Sequence, residues 1–148
     1  MNEKAPSQIV IQAWARLVRA ANQTMDAVES DLKAAGFPPL GWYDVCLELS
    51  RAGEVGLRPL EIEDHLLLAQ HNVSRLVDRM AKAGYVARKA HESDGRGLRI
   101  ILTAKGHELL EAMWPHYRAA IERHVGSKLG GDDRATQLVE LLAPLAGR

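Results

Sequence analysis

The sequence predicts a mainly α fold that carries one short β-hairpin, with long helices flanking a compact middle. Three observations predict it. Apolar residues step by three or four through most of the 148 residues, which is the helical period. Two β-prone runs interrupt that period, Tyr85-Val86-Ala87-Arg88-Lys89 and Leu98-Arg99-Ile100-Ile101-Leu102, with the turn formers Ser93-Asp94-Gly95-Arg96-Gly97 between them. Helix breakers punctuate the rest: Gly36-Phe37-Pro38-Pro39, Gly53, Gly84 and Gly130-Gly131.

In chain order, 7–35 reads as one long amphipathic helix, opened near Pro6 and stopped at Gly36. Its apolar positions are Val10, Trp14, Leu17, Ala21, Met25, Val28 and Leu32, a seam long enough to want a partner helix along its length. A second helix over 41–52 turns Trp42, Val45, Cys46 and Leu49 inward. Pro59 suits the first turn of a short helix over 59–67, and a further helix over 70–83 ends at Gly84. The hairpin follows. Thr103 then suits the N-cap of a long helix over 104–126, with a kink expected at Pro115. Asp132 is expected to cap a last helix whose apolar face is Leu138, Val139, Leu141, Leu142 and Leu145.

Helix–turn–helix followed by a β-hairpin is the winged-helix arrangement, here placed at 41–106. The flanking segments, 7–35 and 104–147, are expected to form the dimerisation helices as one intertwined unit.

Charge supports a polyanion-facing surface. The chain as a whole is neutral, but 69–105 holds eight basic residues against three acidic ones, a net +5 that the rest balances. The sequence is ordinary for a globular protein, with 47% hydrophobic and 26% charged residues. Its apolar runs are too short or interrupted to span a bilayer, so no membrane is expected as a partner. Met1-Asn2-Glu3-Lys4-Ala5-Pro6 lacks the layout of a signal peptide. One cysteine, Cys46, forms no internal disulfide, and a reducing cytoplasm is the expected location.

Leu60-Glu61-Ile62, Val73-Ser74-Arg75-Leu76-Val77-Asp78-Arg79-Met80, Gly84-Tyr85-Val86-Ala87-Arg88, Asp94-Gly95-Arg96 and Leu102-Thr103-Ala104-Lys105-Gly106 occur in fixed order. That series resembles the MarR family of bacterial and archaeal transcription regulators, and the likeness runs over essentially the whole chain. It departs at Leu67, in the helix–turn–helix corner, where many relatives have glycine. The resemblance implies a homodimer on a pseudo-palindromic, double-stranded operator, acting as a repressor released by a small effector.

Physical chemistry fits the implied roles. On the 70–83 helix, Val73, Leu76, Val77 and Met80 share an inward face. Gln70, His71, Asn72, Ser74, Arg75 and Asp78 are left for its open face or margins, concentrated toward the N-terminal half, where a recognition helix meets base edges. By resemblance, Arg96 at the hairpin tip reaches the minor groove or its phosphates, with Asp94 as the salt-bridge partner that fixes the tip. Arg88, Lys89 and Arg99 are backbone contacts or solvated strand residues. Of these, Arg99 is expected to be part of the DNA-binding surface. Lys105 sits in a helix first turn, where its charge opposes the dipole and a phosphate or plain solvent would relieve it.

Family members commonly bind small anionic aromatic compounds between the dimerisation helices and the winged helix. Trp14, Trp42, Tyr43, Met113 and Trp114 lie on the elements that would line such a crevice, or they are plain core. The urate-responsive branch shares an early tryptophan, but its acidic residue four before a recognition-helix arginine is replaced here by Arg75. Metal- or redox-responsive regulation within the same fold is an alternative. His107, His116 and His124 are nine and eight apart, without the spacing of paired ligands, and Cys46 has no adjacent basic residue to activate it. A winged-helix interaction module without DNA binding is the other alternative, opposed by Arg96. No nucleophile–base pair, phosphate-binding glycine loop or paired-carboxylate motif points to an enzyme, and no cofactor or metal is expected.

Overall fold

The computed structural model describes residues 3–90 and 97–147. Helix α1 spans Gln8–Ala34 and α2 spans Leu40–Ala52; a 3-10 turn, Gly53–Val55, leads to α3 (Pro59–His65) and α4 (Val73–Lys82). Strands β1 (Val86–Ala90) and β2 (Leu98–Leu102) pair antiparallel, from Val86 opposite Leu102 to Ala90 opposite Leu98. Helix α5 (Ala104–Ile121) continues through a π-helical turn, Glu122–Gly126, into α6 (Ser127–Leu129), and α7 covers Asp132–Ala146. The fold is mainly α with a winged helix-turn-helix, as the periodicity and the turn residues predict.

The chain divides into two compact units. The central unit, Leu32–Tyr117, is built around α2, which is buried from Leu40 to Leu49 apart from Trp42 and Leu47. Ile62 of α3, the Val73, Leu76, Val77 and Met80 face of α4, Val86, Ile100 and Met113 complete its core. Leu57 adds a third edge to the hairpin: its N–H donates to the Ile100 carbonyl at 3.0 Å, and the Ile100 N–H donates back at 2.7 Å. The wing is thereby tied to the chain just ahead of α3.

Several boundaries differ from those the sequence predicts. Helix α4 begins at Val73 rather than 70, because Asn72 is its N-cap: Oδ1 accepts the Arg75 N–H at 3.0 Å. Helix α3 stops at His65, and β1 runs one residue later than expected. Thr103 does cap α5, taking the Gly106 N–H at 3.2 Å. Asp132 is the first residue of α7 and Gly131 its N-cap, so the acid faces the helix dipole without a cap hydrogen bond. Helix α5 is continuous across Pro115; the change from α geometry comes at Glu122–Gly126.

The second unit contains the chain up to Asp31 and from Arg118 onward. Inside it, Asp31 Oδ2 accepts from Arg123 Nη1 at 2.5 Å and lies 2.8 Å from His124 Nε2. The His124 hydrogen bond, then Arg123, holds the Asp31 carboxyl below its ordinary 3.8 against some desolvation. A depressed carboxylate stabilises the fold above its unfolded value, and the contribution is lost as pH falls through the lower folded one. Asp31→Asn is therefore expected to lower the melting temperature at pH 7, with the gap from wild type closing below pH 3.8. Melts across that range check it; a gap constant with pH would rule it out.

In the single chain, this unit leaves much apolar surface bare. Ile9, Val10, Ile11 and Trp14 of α1 are 45–70% exposed, and Val139, Leu141 and Leu145 of α7 are 67–70% exposed. Of the α1 seam, only Val28 and Leu32 are buried. Among the described residues, no helix is long and apolar enough to cross a membrane.

Candidate nucleic-acid interface

Helix α4 divides cleanly into two faces. Val73, Leu76, Val77 and Met80 are buried, whereas Ser74, Arg75, Asp78 and Arg79 are exposed. His71 and Asn72, just ahead of the helix, are exposed as well. Arg75 and Arg79 are one turn apart and share a face. Arg79 thus joins Arg75 on the exposed face, although the sequence-based DNA-binding set holds only Arg75 of the two.

The wing base is organised by ion pairs. Asp78 of α4 pairs with Arg88 of β1, and Glu61 of α3 pairs with Arg99 of β2 at 3.7 Å. Glu61 Oε1 also accepts the Arg58 N–H at 3.0 Å, so one carboxylate serves both the start of α3 and the strand. Only 16% of the Arg99 side chain is exposed. A cleft of about 530 Å³, lined in part by Leu60, Ser74, Asp78, Arg88 and Leu98, opens between α4 and this wing base. Ser74 and Asp78 of α4 and Arg88 of β1 thus border one concavity. Asp94 and Arg96 lie outside the described residues.

Lys105 is exposed, and it also has partners within the chain. Its Nζ donates to the Ala83 carbonyl at 2.7 Å and stands 4.7 Å from the centre of the Tyr85 ring. Ala83 is the C-cap of α4, so the charge that opposes the α5 dipole serves the negative end of α4.

Of the five aromatic and Met positions, the four in the central unit have different neighbours. Trp42 is half-buried and meets Tyr85 edge-on at 5.6 Å. Tyr43 stacks on Trp114 at 6.4 Å, and both meet Tyr117 edge-on. Met113 is completely buried, and Trp14 belongs to the other unit. Desolvation pushes the Tyr43 hydroxyl above its ordinary value, so it stays a neutral phenol. Burial likewise pushes the Cys46 thiol up to about 12, which leaves almost no thiolate at neutral pH. Among the described residues, no three His, Cys, Asp or Glu side chains are grouped to hold a metal.

The model of the MarR family matches residues 35–97. The HTH-type transcriptional regulator YkoM of Bacillus subtilis (strain 168), itself uncharacterized, is 30% identical over 112 residues, which is 76% of this chain and 70% of YkoM. The chain belongs to the MarR family. Among solved MarR structures, AbsC from Streptomyces coelicolor is 26% identical with a TM-score of 0.81, covering 98% of this chain and 97% of AbsC. Sco3205 from the same organism, solved in complex with DNA, is 24% identical with a TM-score of 0.86, covering 98% and 90%. As a MarR regulator the chain is a DNA-binding protein.

Proposed function

We propose that the chain is a homodimeric repressor that reads a pseudo-palindromic operator with α4 and is released by a small aromatic acid. The observation that carries this reading is the exposed Ser74–Arg75–Arg79 face of α4 beside the wing. Arginine pairs two-pronged with guanine in the major groove, and serine accepts or donates to any base. Asn72 is a weaker adenine reader, since its oxygen is shared with the helix cap. Arg96 supplies the wing contact to the minor groove or its phosphates, and Arg99 acts mainly by holding Glu61. The bare apolar surface of α1 and α7 suits a second copy, because a twofold dimer holds two recognition helices about 34–36 Å apart for successive major grooves. The winged helix over 41–106 and the helices over 7–35 and 104–147 divide these tasks. For the effector, Tyr43, Trp114 and Tyr117 offer an aromatic wall on which a flat acid stacks.

Arg75→Ala is expected to relax discrimination at particular base pairs, at about 1–3 kcal/mol. Arg96→Ala is expected to weaken binding to all duplexes alike and to flatten the salt dependence. Titration of matched and mismatched duplexes at several salt concentrations separates the two. Equal loss of specificity in both variants would refute the division between helix and wing. Aromatic carboxylates titrated against the operator complex, with tryptophan fluorescence followed alongside, test the release: quenching without release means a pocket that is no switch.

A further inference from the structure

We propose that Asp44 is a positioning residue for DNA recognition: its buried carboxylate, together with the contact between Gly41 and Gln70, holds the turn that aims α4. The inference rests on the reading of α4 as the recognition helix.

Residues 66–72 join α3 to α4 without regular structure, so their backbone amides need acceptors from elsewhere. The Leu66 N–H finds one in the Ile62 carbonyl, at 3.1 Å. The next two are taken by Asp44: Oδ1 accepts from Leu67 at 3.2 Å and Oδ2 from Leu68 at 2.8 Å. Asp44 is only 6% exposed, on a helix whose neighbouring Val45 and Cys46 are wholly buried. Each carboxylate oxygen thus holds one of two successive amides, a pairing that fixes the turn in rotation as well as in position. The Leu67 side chain adds no anchor, being 77% exposed. The turn is held there by its backbone.

A second contact lies one helical step away. A Cβ on Gly41 would stand 2.6 Å from Gln70 Nε2 and 3.3 Å from its Cδ, so the Gln70 amide sits directly against the backbone of α2. Positions 41 and 44 share a helix face. Between them they hold the turn at 67, 68 and 70, immediately before the Asn72 cap and Arg75. Gln70, a candidate base reader by sequence, is half-buried with its amide against α2. Base readout tolerates only about 0.5 Å and 10–20° of misplacement, and these contacts are what α4 is referenced to at its N-terminal end.

Two variants test the idea, each against a duplex selected by the wild-type protein from a random library and against a random duplex. Asp44→Asn keeps the shape but sets an NH2 group against an amide donor. It is expected to cost about tenfold in affinity for the selected duplex, with random-duplex affinity and the salt slope unchanged and faster amide exchange at Leu67 and Leu68. Gly41→Ala displaces only the end of a flexible side chain and adds a better helix former, so it is expected to reduce discrimination without lowering the melting temperature. It decides the matter if Asp44→Asn does not fold. Variants that discriminate as wild type does, or that lose both duplexes in equal proportion, overturn the inference alone. A wild-type protein that selects no duplex overturns the DNA-binding reading and this inference with it.

Discussion

Leu141→Asp combined with Leu145→Asp is expected to convert the protein to monomers and to weaken operator binding by about three orders of magnitude. The two leucines are one turn apart on α7 and 70% and 69% exposed in the single chain. Isolated exposed leucines are ordinary, but here they accompany Val139 and the bare Ile9, Val10, Ile11 and Trp14 of α1. So many large apolar residues left bare on these two helices together suit an interface surface. If a second copy covers it, each introduced carboxylate must be desolvated without a partner, at a cost of several kcal/mol. Loss of the dimer then turns a joint two-half-site event into single half-site binding, forfeiting the effective concentration, on the order of millimolar, that linkage supplies. Sedimentation at micromolar concentration with duplex titration reads both effects. A double variant that sediments as a dimer and binds as wild type would contradict the assembly proposed. An obligate dimer also unfolds in one concentration-dependent transition, which wild-type melts at two concentrations reveal.

Gly106→Ala is expected to destabilise the central unit by about 1–3 kcal/mol. The added Cβ would stand 2.2 Å from Leu102 Cδ1 and 2.4 Å from the Tyr85 carbonyl oxygen. The leucine end can move, but the carbonyl is backbone at the entrance to β1, and the Thr103 N–H already donates to it at 3.2 Å. Relief requires α5 to draw away from the hairpin, so the same substitution is expected to weaken DNA binding through the wing. Thermal melts should show a drop of about 2–4 °C for each kcal/mol lost. An unchanged melt and unchanged duplex affinity would show that the joint yields at no cost. The close approach is the physical reason for glycine at the end of the Leu102-Thr103-Ala104-Lys105-Gly106 run.

The elements of this fold are legible in the sequence because period and punctuation act locally. The seam of α1, the inward face of α4, the β2 run and the Thr103 cap all follow from residues within a turn or two of one another. What sequence reading missed depends on partners far along the chain. Asn72 is the local exception, expected inside the 70–83 helix but capping it through the Arg75 N–H three residues on. Lys105 looks like a misplaced charge until the Ala83 carbonyl, 22 residues earlier, is brought beneath it. Asp44 carried a signal that went unused: an acid between inward positions of an apolar helix must have a buried partner. Trp42 and Tyr43 lie on the same candidate crevice element, yet adjacent helical residues point about 100° apart, and α2 sends them to different aromatic neighbours.

The joint between α4, β1 and α5 also sets which positions tolerate mutational drift. Thr103 Oγ1 donates to the Gly84 carbonyl at 2.6 Å and Lys105 Nζ to the Ala83 carbonyl, so both acceptors are main chain. Any residue that keeps the backbone path at 83 presents the same oxygen. On the donor side no such freedom exists: 103 needs a short hydroxyl, 105 a long cation and 106 no side chain at all. Variation across this joint is therefore one-sided. A library randomised at 83 should return many working sequences, and one randomised at 103, 105 and 106 should return very few beyond the original.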